Sequence, residues 1–193
     1  MNNITILIQG YAKQLPDGRW DATSAAVLVR SGGKNVIIDP GELPEAFRVA
    51  LKKEGLQAGD IDYVVCSHSH ADHRKNSRLF PKDRVYEPFD LYQKIPDDLV
   101  IPLTEIRVVH TPGHVDNHIA FIVETPEGIC AIAGDVFWWE DGEERQTDYQ
   151  SLIEHVDPVA KNQTLLQESR KKLLNLADYV IPGHGKTFKV PRG

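Results

Sequence analysis

The run Ser67-His68-Ser69-His70-Ala71-Asp72-His73 places three imidazoles and a carboxylate within six positions. Thr111-Pro112-Gly113-His114, Gly134-Asp135 and Gly183-His184-Gly185 add two further histidines and an aspartate, each beside a glycine. In an extended segment His68 and His70 project to the same side, whereas Asp72 and His73, beyond the bend, address a neighbouring position, so one loop can supply ligands to two metal ions. Imidazole and carboxylate are borderline ligands suited to zinc, iron or manganese. A donor set without thiolate is typical of catalytic rather than structural zinc. Two such ions roughly 3.5 to 4 Å apart can share a hydroxide, lower the pKa of water toward neutrality and clamp both the attacked group and the leaving oxygen. The chemistry implied is hydrolysis that needs no strong protein base. A lone histidine is most often structural; the ordered set of His68, His70, Asp72, His73, His114, Asp135 and His184 is what points to metal.

The elements that position these residues follow from the apolar pattern. Strands are expected at Ile4 to Gly10, Ala25 to Arg30 and Asn35 to Asp39, separated by the turn residues Pro16-Asp17-Gly18 and Ser31-Gly32-Gly33. Leu43, Phe47, Ala50 and Leu51 have helical spacing, with Gly55 closing the helix. Ile61 to Cys66 is a short β-branched run, read as a buried strand that delivers the His68 to His73 cluster at its C-terminal end, where sites tend to lie. A second group of strands is expected at Val85-Tyr86, Glu105 to His110, Asn117 to Glu124 and Gly128 to Ala133. The stretch from Val136 to Gln150 reads as irregular. A helix is expected from about Val159 to Asn175, with Leu165, Leu166, Leu173 and Leu174 on its apolar face, and Tyr179 to Pro182 as a last inner strand before His184. Six of the eight histidines, all but His110 and His155, thus fall at strand ends or turns.

The 193 residues suffice for one domain with a core that needs no disulfide, so the domain is read as 1–193, two sandwiched halves without linker or repeat. Cys66 and Cys130 lie in apolar strand-like runs and are expected to be buried, in keeping with a reduced compartment. No apolar run approaches the roughly 20 residues of a membrane span. The opening Met-Asn-Asn-Ile lacks the pattern of a secretory signal. A cytoplasmic location without membrane attachment is the expectation. The formal charge of −6 argues against a surface that gathers nucleic acid by bulk electrostatics.

The ordered pattern His-x-His-x-Asp-His, Thr-Pro-Gly-His, Gly-Asp and Gly-His resembles the metallo-β-lactamase superfamily across essentially the whole chain. That resemblance implies an α/β fold, a four-layer αββα sandwich with the site along one edge. It implies that His68, His70 and His114 hold one metal, Asp72, His73 and His184 a second, and that Asp135 bridges them. Zn2+ is the expected metal, with iron or manganese as alternatives. Asp72 and Asp135 are the expected catalytic residues, Asp72 also orienting the nucleophile. The segments Ser67 to Asn76 with Leu79-Phe80-Pro81, Ala133 to Phe137, Glu168 to Leu173, Ala177 to Gly185 and Phe188-Lys189-Val190 are most similar to the small metallo-β-lactamase domain-containing subgroup of endoribonuclease type.

The resemblance implies a dinuclear hydrolase with a metal-bridging hydroxide as nucleophile, of phosphodiesterase or endoribonuclease type, acting on a small molecule or a single-stranded nucleic acid, and as a homodimer by analogy. A small-molecule ester, lactone or thioester hydrolase of the same fold is the alternative, followed by a mononuclear iron oxygenase like the persulfide dioxygenases. Within the family, true β-lactamases have no bridging aspartate at the position of Asp135, and glyoxalase-II-like thioesterases carry a helical C-terminal domain for which the nine residues after His184 leave no room. Trp138 and Trp139 depart from the subgroup: they overhang the site as substrate contacts if their loop folds inward, and otherwise pack as two aromatics under a long loop. His118 is expected behind a ligand or facing the substrate, His110 beneath the site, and His155 on the solvated surface.

Overall fold

The computed structural model describes residues 1–87 and 99–192. One five-stranded sheet has the order β1-β4-β5-β6-β7, formed by β1 (Asn3–Ile8), β4 (Ala26–Ser31), β5 (Lys34–Ile38), β6 (Tyr63–Val65) and β7 (Val85–Tyr86). The other has the order β12-β11-β10-β9-β8, formed by β8 (Arg107–His110), β9 (Ile119–Thr125), β10 (Gly128–Ile132), β11 (Tyr179–Ile181) and β12 (Phe188–Lys189). β2 (Tyr11–Gln14) and β3 (Trp20–Thr23) make a separate hairpin.

The layers follow from strand alternation. Along β4 and β5, Val27, Val29, Val36 and Ile38 pack with Phe121, Val123, Cys130, Ile132 and Ile181 of the opposite sheet to fill the sandwich. The intervening Ala26, Leu28 and Ile37 point outward, against Phe47 and Leu51 of helix α1 (Pro44–Lys53). On the other flank Ala120, Ile122, Ala131 and Val180 pack outward against Leu166, Leu173 and Leu174 of helix α4 (Gln163–Leu176). The period of two gives each sheet one face toward its partner and one toward a helix, which is the expected αββα arrangement. Cys66 and Cys130 are buried free thiols, and among the described residues no helix is long and apolar enough to cross a membrane.

Three local expectations are corrected. The first strand stops at Ile8, and the chain continues into the β2–β3 hairpin, paired from Tyr11↔Thr23 to Gln14↔Trp20 around the Pro16-Asp17-Gly18 turn. The second long helix starts at Gln163 rather than Val159, because Lys161 and Asn162 give their N–H groups to the carbonyls of His114 (3.1 Å) and Gly113 (2.9 Å). Its buried face holds Ser169 and Arg170 beside Leu166, Leu173 and Leu174, while Leu165 is 37% exposed. The stretch expected to be irregular ends in a short helix, α3 (Tyr149–Glu154), capped by the Asp148 carboxylate on the Ser151 N–H (3.0 Å).

Candidate metal centre

Every ligand candidate sits where a strand of one of the two sheets ends. β6 leads through Cys66 and Ser67 to His68 and then to the single-turn helix α2 (Ala71–Arg74), which holds Asp72 and His73. β8 leads to the turn at Gly113-His114, β10 to the 3-10 turn Gly134–Val136, and β11 to His184. Gly134 takes φ +50°, and a Cβ there would lie 2.6 Å from Ser67 Oγ and 2.8 Å from His118 Nε2, so only glycine lets this turn press against the His68 loop.

The structure brings His68, His70, His114 and Asp135 into one group of potential ligand atoms and Asp72, His73 and His184 into a second, with the atoms of each group within 4.8 Å of one another. Asp135 divides its carboxylate between them. Oδ2 lies 3.6 Å from His68 Nε2 and 3.4 Å from His114 Nε2, whereas Oδ1 lies 3.1 Å from His73 Nε2 and 3.4 Å from His184 Nε2. Asp72 Oδ2 completes the second group, 3.2 Å from His184 Nε2 and 3.8 Å from His73 Nε2. His70 enters through Nδ1, which lies 3.1 Å from His114 Nε2.

Four of the five imidazoles, those of His68, His73, His114 and His184, are anchored from behind through Nδ1. His73 Nδ1 donates to Asp39 Oδ2 (2.9 Å), and His68 Nδ1 to Ser67 Oγ (3.0 Å), whose hydroxyl in turn donates to Asp39 (2.7 Å). His114 Nδ1 donates to Asp157 Oδ2 (2.7 Å), and His184 Nδ1 to the carbonyls of Tyr11 (2.9 Å) and Thr23 (3.1 Å). With Nδ1 donating, the lone pair of Nε2 is left pointing into the cluster, the arrangement in which an outer partner orients a ligand imidazole.

These residues fit a pair of cations. Among the described residues Nε2 of His68, Nε2 of His73 and Oδ1 of Asp135 are buried with no hydrogen-bond partner, a combination that costs folding free energy unless another group satisfies them. Burial pushes His68 and His118 well below the ordinary imidazole value, helped by the neighbouring His73 and His114 respectively. Burial works the same way on His73 and His184, but Asp135 with Asp39 holds His73 well above that value, and Asp135 with Asp72 holds His184 up to about 9. Burial opposes ionisation of Asp135 and Asp72, yet His73 and His184 keep both carboxyls below the usual range. Positive charge is therefore favoured at the centre, and metal ions would take the place of protons.

A cavity of about 380 Å3 opens on this cluster, lined by His70, Asp72, His114, Asp135 and His184 together with Ala12, Trp20, Ala22, Glu42, Trp138 and Val159. Trp138 stands beside the site, edge-on to His184 (6.1 Å) and to Trp20 (5.7 Å). Three expectations are corrected. Trp139 turns away from the cavity into the core beside Phe137 and Phe188, because the backbone of successive extended residues alternates sides. Of the two places expected for His118, the substrate-facing one gives way to the one behind a ligand: it is fully buried, its Nδ1 meets Thr111 Oγ1 (2.9 Å) and its Nε2 accepts the N–H of Asp135 (3.1 Å). His155 is half-buried on the Trp139 ring (5.6 Å), near Glu143 (3.5 Å), rather than solvated. His110 ends β8, with Nε2 3.4 Å from the Asp116 carbonyl.

Asp39, Asp157, Trp20 and Glu42 were not expected from the sequence. Asp39 carried a usable signal, since it ends a strand just before Pro40-Gly41, the same setting as the ligands. Asp157 carried none.

The family model for the metallo-beta-lactamase superfamily matches residues 19–88. Metallo-beta-lactamase domain-containing protein 1 of Rattus norvegicus is 32% identical over 235 residues, covering 98% of this chain and 88% of that protein. A Thermotoga maritima structure assigned to the metallo-beta-lactamases superposes with a TM-score of 0.70 at 19% identity, covering 97% of this chain and 99% of the other. A protein crystallised in a di-iron-bound form superposes with a TM-score of 0.58 at 26% identity, over 86% and 90% of the two chains. On its αββα fold, its two joined ligand groups and these similarities, the chain belongs to the metallo-beta-lactamase superfamily, whose members are generally metal-dependent hydrolases.

Proposed function

We propose that the protein is a dinuclear metal-dependent hydrolase of small esters, taken broadly to include carboxylic esters, lactones and thioesters. The observation that carries this reading is the Asp135 carboxylate, whose two oxygens face two separate imidazole groups at an aromatic-walled cavity. Bound by these residues, two divalent cations supply acidified water and a positive clamp for the attacked group. Zn2+ suits an imidazole-rich donor set, and iron is the metal to test beside it, since the similar di-iron-bound protein holds iron.

The chain's own residues do the rest. Asp72 is partly open to the cavity and kept ionised by His184 and His73, so it can hold and orient an attacking water. Trp20 and Trp138 offer apolar faces to the group beside the scissile bond and keep bulk water from it.

The cavity favours the small-ester reading over the single-stranded nucleic-acid substrate expected from the resemblance. Among the described residues no lysine or arginine lines it, and Glu42 adds a carboxylate. A chain of phosphates calls for cations along its path. The test is protein loaded with Zn2+, Mn2+ or Fe2+ and assayed on p-nitrophenyl esters, a lactone panel, acyl thioesters, bis(p-nitrophenyl) phosphate and labelled RNA. Turnover of an ester, lactone or thioester exceeding phosphodiester turnover by about ten-fold or more in kcat/KM is expected. Cleavage of RNA or phosphodiester with no ester turnover overturns the substrate class. One iron per chain with oxygen consumption overturns the dinuclear hydrolase.

A further inference from the structure

Arg170, on α4, is fully buried, and its acceptors are backbone carbonyls. Nε donates to the carbonyl of Val136 (2.9 Å), and Nη1 to the carbonyls of Ile153 (3.2 Å) and His155. Its guanidinium carbon stands 5.8 Å from the centre of the Phe137 ring, and Nη2 is buried with no acceptor among the described residues. Burial pushes its pKa down to about 10, so the group keeps its charge at neutral pH without full solvation or a complete set of partners. An apolar side chain of similar length would fill the same space with no charge to desolvate. What the guanidinium adds is a rigid fork that fixes two chain segments relative to one helix.

Both segments lead to the metal centre. Val136 follows Asp135, and the Ile153 and His155 carbonyls end α3 just before Asp157, whose carboxylate holds His114 Nδ1. The two depend on Arg170 unequally. Asp135 has other anchors, since its N–H is held by His118 Nε2 (3.1 Å) and Gly183 N–H bonds the carbonyls of Gly134 (2.8 Å) and Phe137 (3.0 Å). The segment before Asp157 takes two of the three Arg170 bonds, whereas the other anchors of Asp157 come from the residues that follow it: Val159 N–H on its carboxylate (2.9 Å), and Ala160 N–H (3.3 Å) and the Gln163 side chain on its carbonyl.

We propose that Arg170 is a positioning residue for the half of the centre built on His68, His70 and His114: by fixing the chain at the end of α3 it sets the Asp157 carboxylate against His114. The inference rests on the dinuclear reading of the site. It makes the strength of one metal site depend on a guanidinium that touches neither ion.

The test is a Zn2+ titration of 15N-histidine-labelled wild type, Arg170→Lys, Arg170→Met, Asp157→Asn and the double variant Arg170→Lys with Asp157→Asn, followed through the ring resonances, with Tm measured for each. In wild type both histidine groups titrate, to two ions per chain. In folded Arg170→Lys, binding seen by His68, His70 and His114 weakens about ten- to hundred-fold, while binding seen by His73 and His184 stays within about three-fold. Asp157→Asn shows the same pattern, and the double variant is no worse than the poorer single one. In the metal-free protein, Arg170→Lys loses the slowly exchanging His114 Nδ1–H signal. If Arg170→Met fails to fold, the lysine variant and Asp157→Asn carry the test. Unchanged affinities in Arg170→Lys, or equal weakening of both groups, overturn the positioning role alone. Wild-type protein that binds fewer than two ions overturns the dinuclear reading and this inference with it.

Discussion

The two sheets build their shares of the metal centre in opposite ways. The first sheet contributes His68, His70, Asp72 and His73 from one contiguous loop after β6, and a single carboxylate, Asp39, steadies both His73 and, through Ser67, His68. The second sheet contributes His114, Asp135 and His184 from three separate strand ends, each held by its own partner: Asp157, His118, and the carbonyls of Tyr11 and Thr23. A contiguous ligand loop concentrates its dependence on one buttress, whereas dispersed ligands spread theirs over the fold. Damage to the first half should therefore be all-or-none and damage to the second graded, with Asp135 the exception because its two oxygens face both ligand groups.

Asp135→Ala is the strongest blow to this contrast. It should remove the link between the groups, lower kcat/KM by about 10^3-fold or more, roughly 4 kcal/mol, and reduce bound metal below two per chain while the circular dichroism stays native. Metal analysis and ester kinetics read it, and normal turnover would remove Asp135 from its bridging place.

Next in size is Asp39→Ala against Asp157→Ala. Loss of Asp39 leaves the buried Ser67 N–H, held at 2.6 Å, without an acceptor and frees two imidazoles, so metal affinity should fall about 100-fold and stability by about 2 to 3 kcal/mol. Loss of Asp157 frees His114 alone and should cost nearer ten-fold in affinity at that half. Chelator competition and urea unfolding give both numbers, and equal effects would erase the asymmetry.

How far the sequence foretold the centre follows the same asymmetry. The loop from His68 to His73 could be read because its ligand spacing is local, and His114, Asp135 and His184 because each follows a strand pattern beside a glycine. The split of His68 and His70 from Asp72 and His73 followed from chain geometry, whereas the assignment of His114, Asp135 and His184 to the two ions came only through resemblance. Asp157 could not be read at all: it stands 43 positions from His114 and gains its role only when α3 and α4 pack. The β2–β3 hairpin was missed because Tyr11-Ala12-Lys13-Gln14 lacks the apolar alternation of a half-buried strand, and with it went Trp20 as a cavity wall. Trp138 and Trp139 were read as a pair, yet neighbouring positions in extended chain face opposite ways, so one serves the cavity and the other the core.

Trp20→Ala and Trp138→Ala sharpen the contrast from the substrate side. Each should raise KM for aryl or long-chain esters about ten-fold while two metals stay bound and small acetate esters are little affected. Loss of metal in either variant would make these rings structural supports of the centre.

The smallest effect concerns the two buried thiols, which face the core and not the cavity. Burial pushes the Cys66 and Cys130 thiols up to about 12 from 9.0, so the folded state binds their protons more tightly than the unfolded chain does. Their contribution to stability is intact below pH 9 and is lost as pH rises toward 12, so unfolding midpoints should fall over that window and fall less in a Cys66→Ala, Cys130→Ala variant. An unchanged slope in that variant would assign the alkaline loss to other groups.

The most direct test is an anomalous-scattering crystal structure of protein saturated with Zn2+ or iron. Two peaks are expected, one among His68, His70 and His114 and one among Asp72, His73 and His184, with one Asp135 oxygen on each. A single peak, or none, at saturating metal would contradict the two-ion centre on which the hydrolase reading stands.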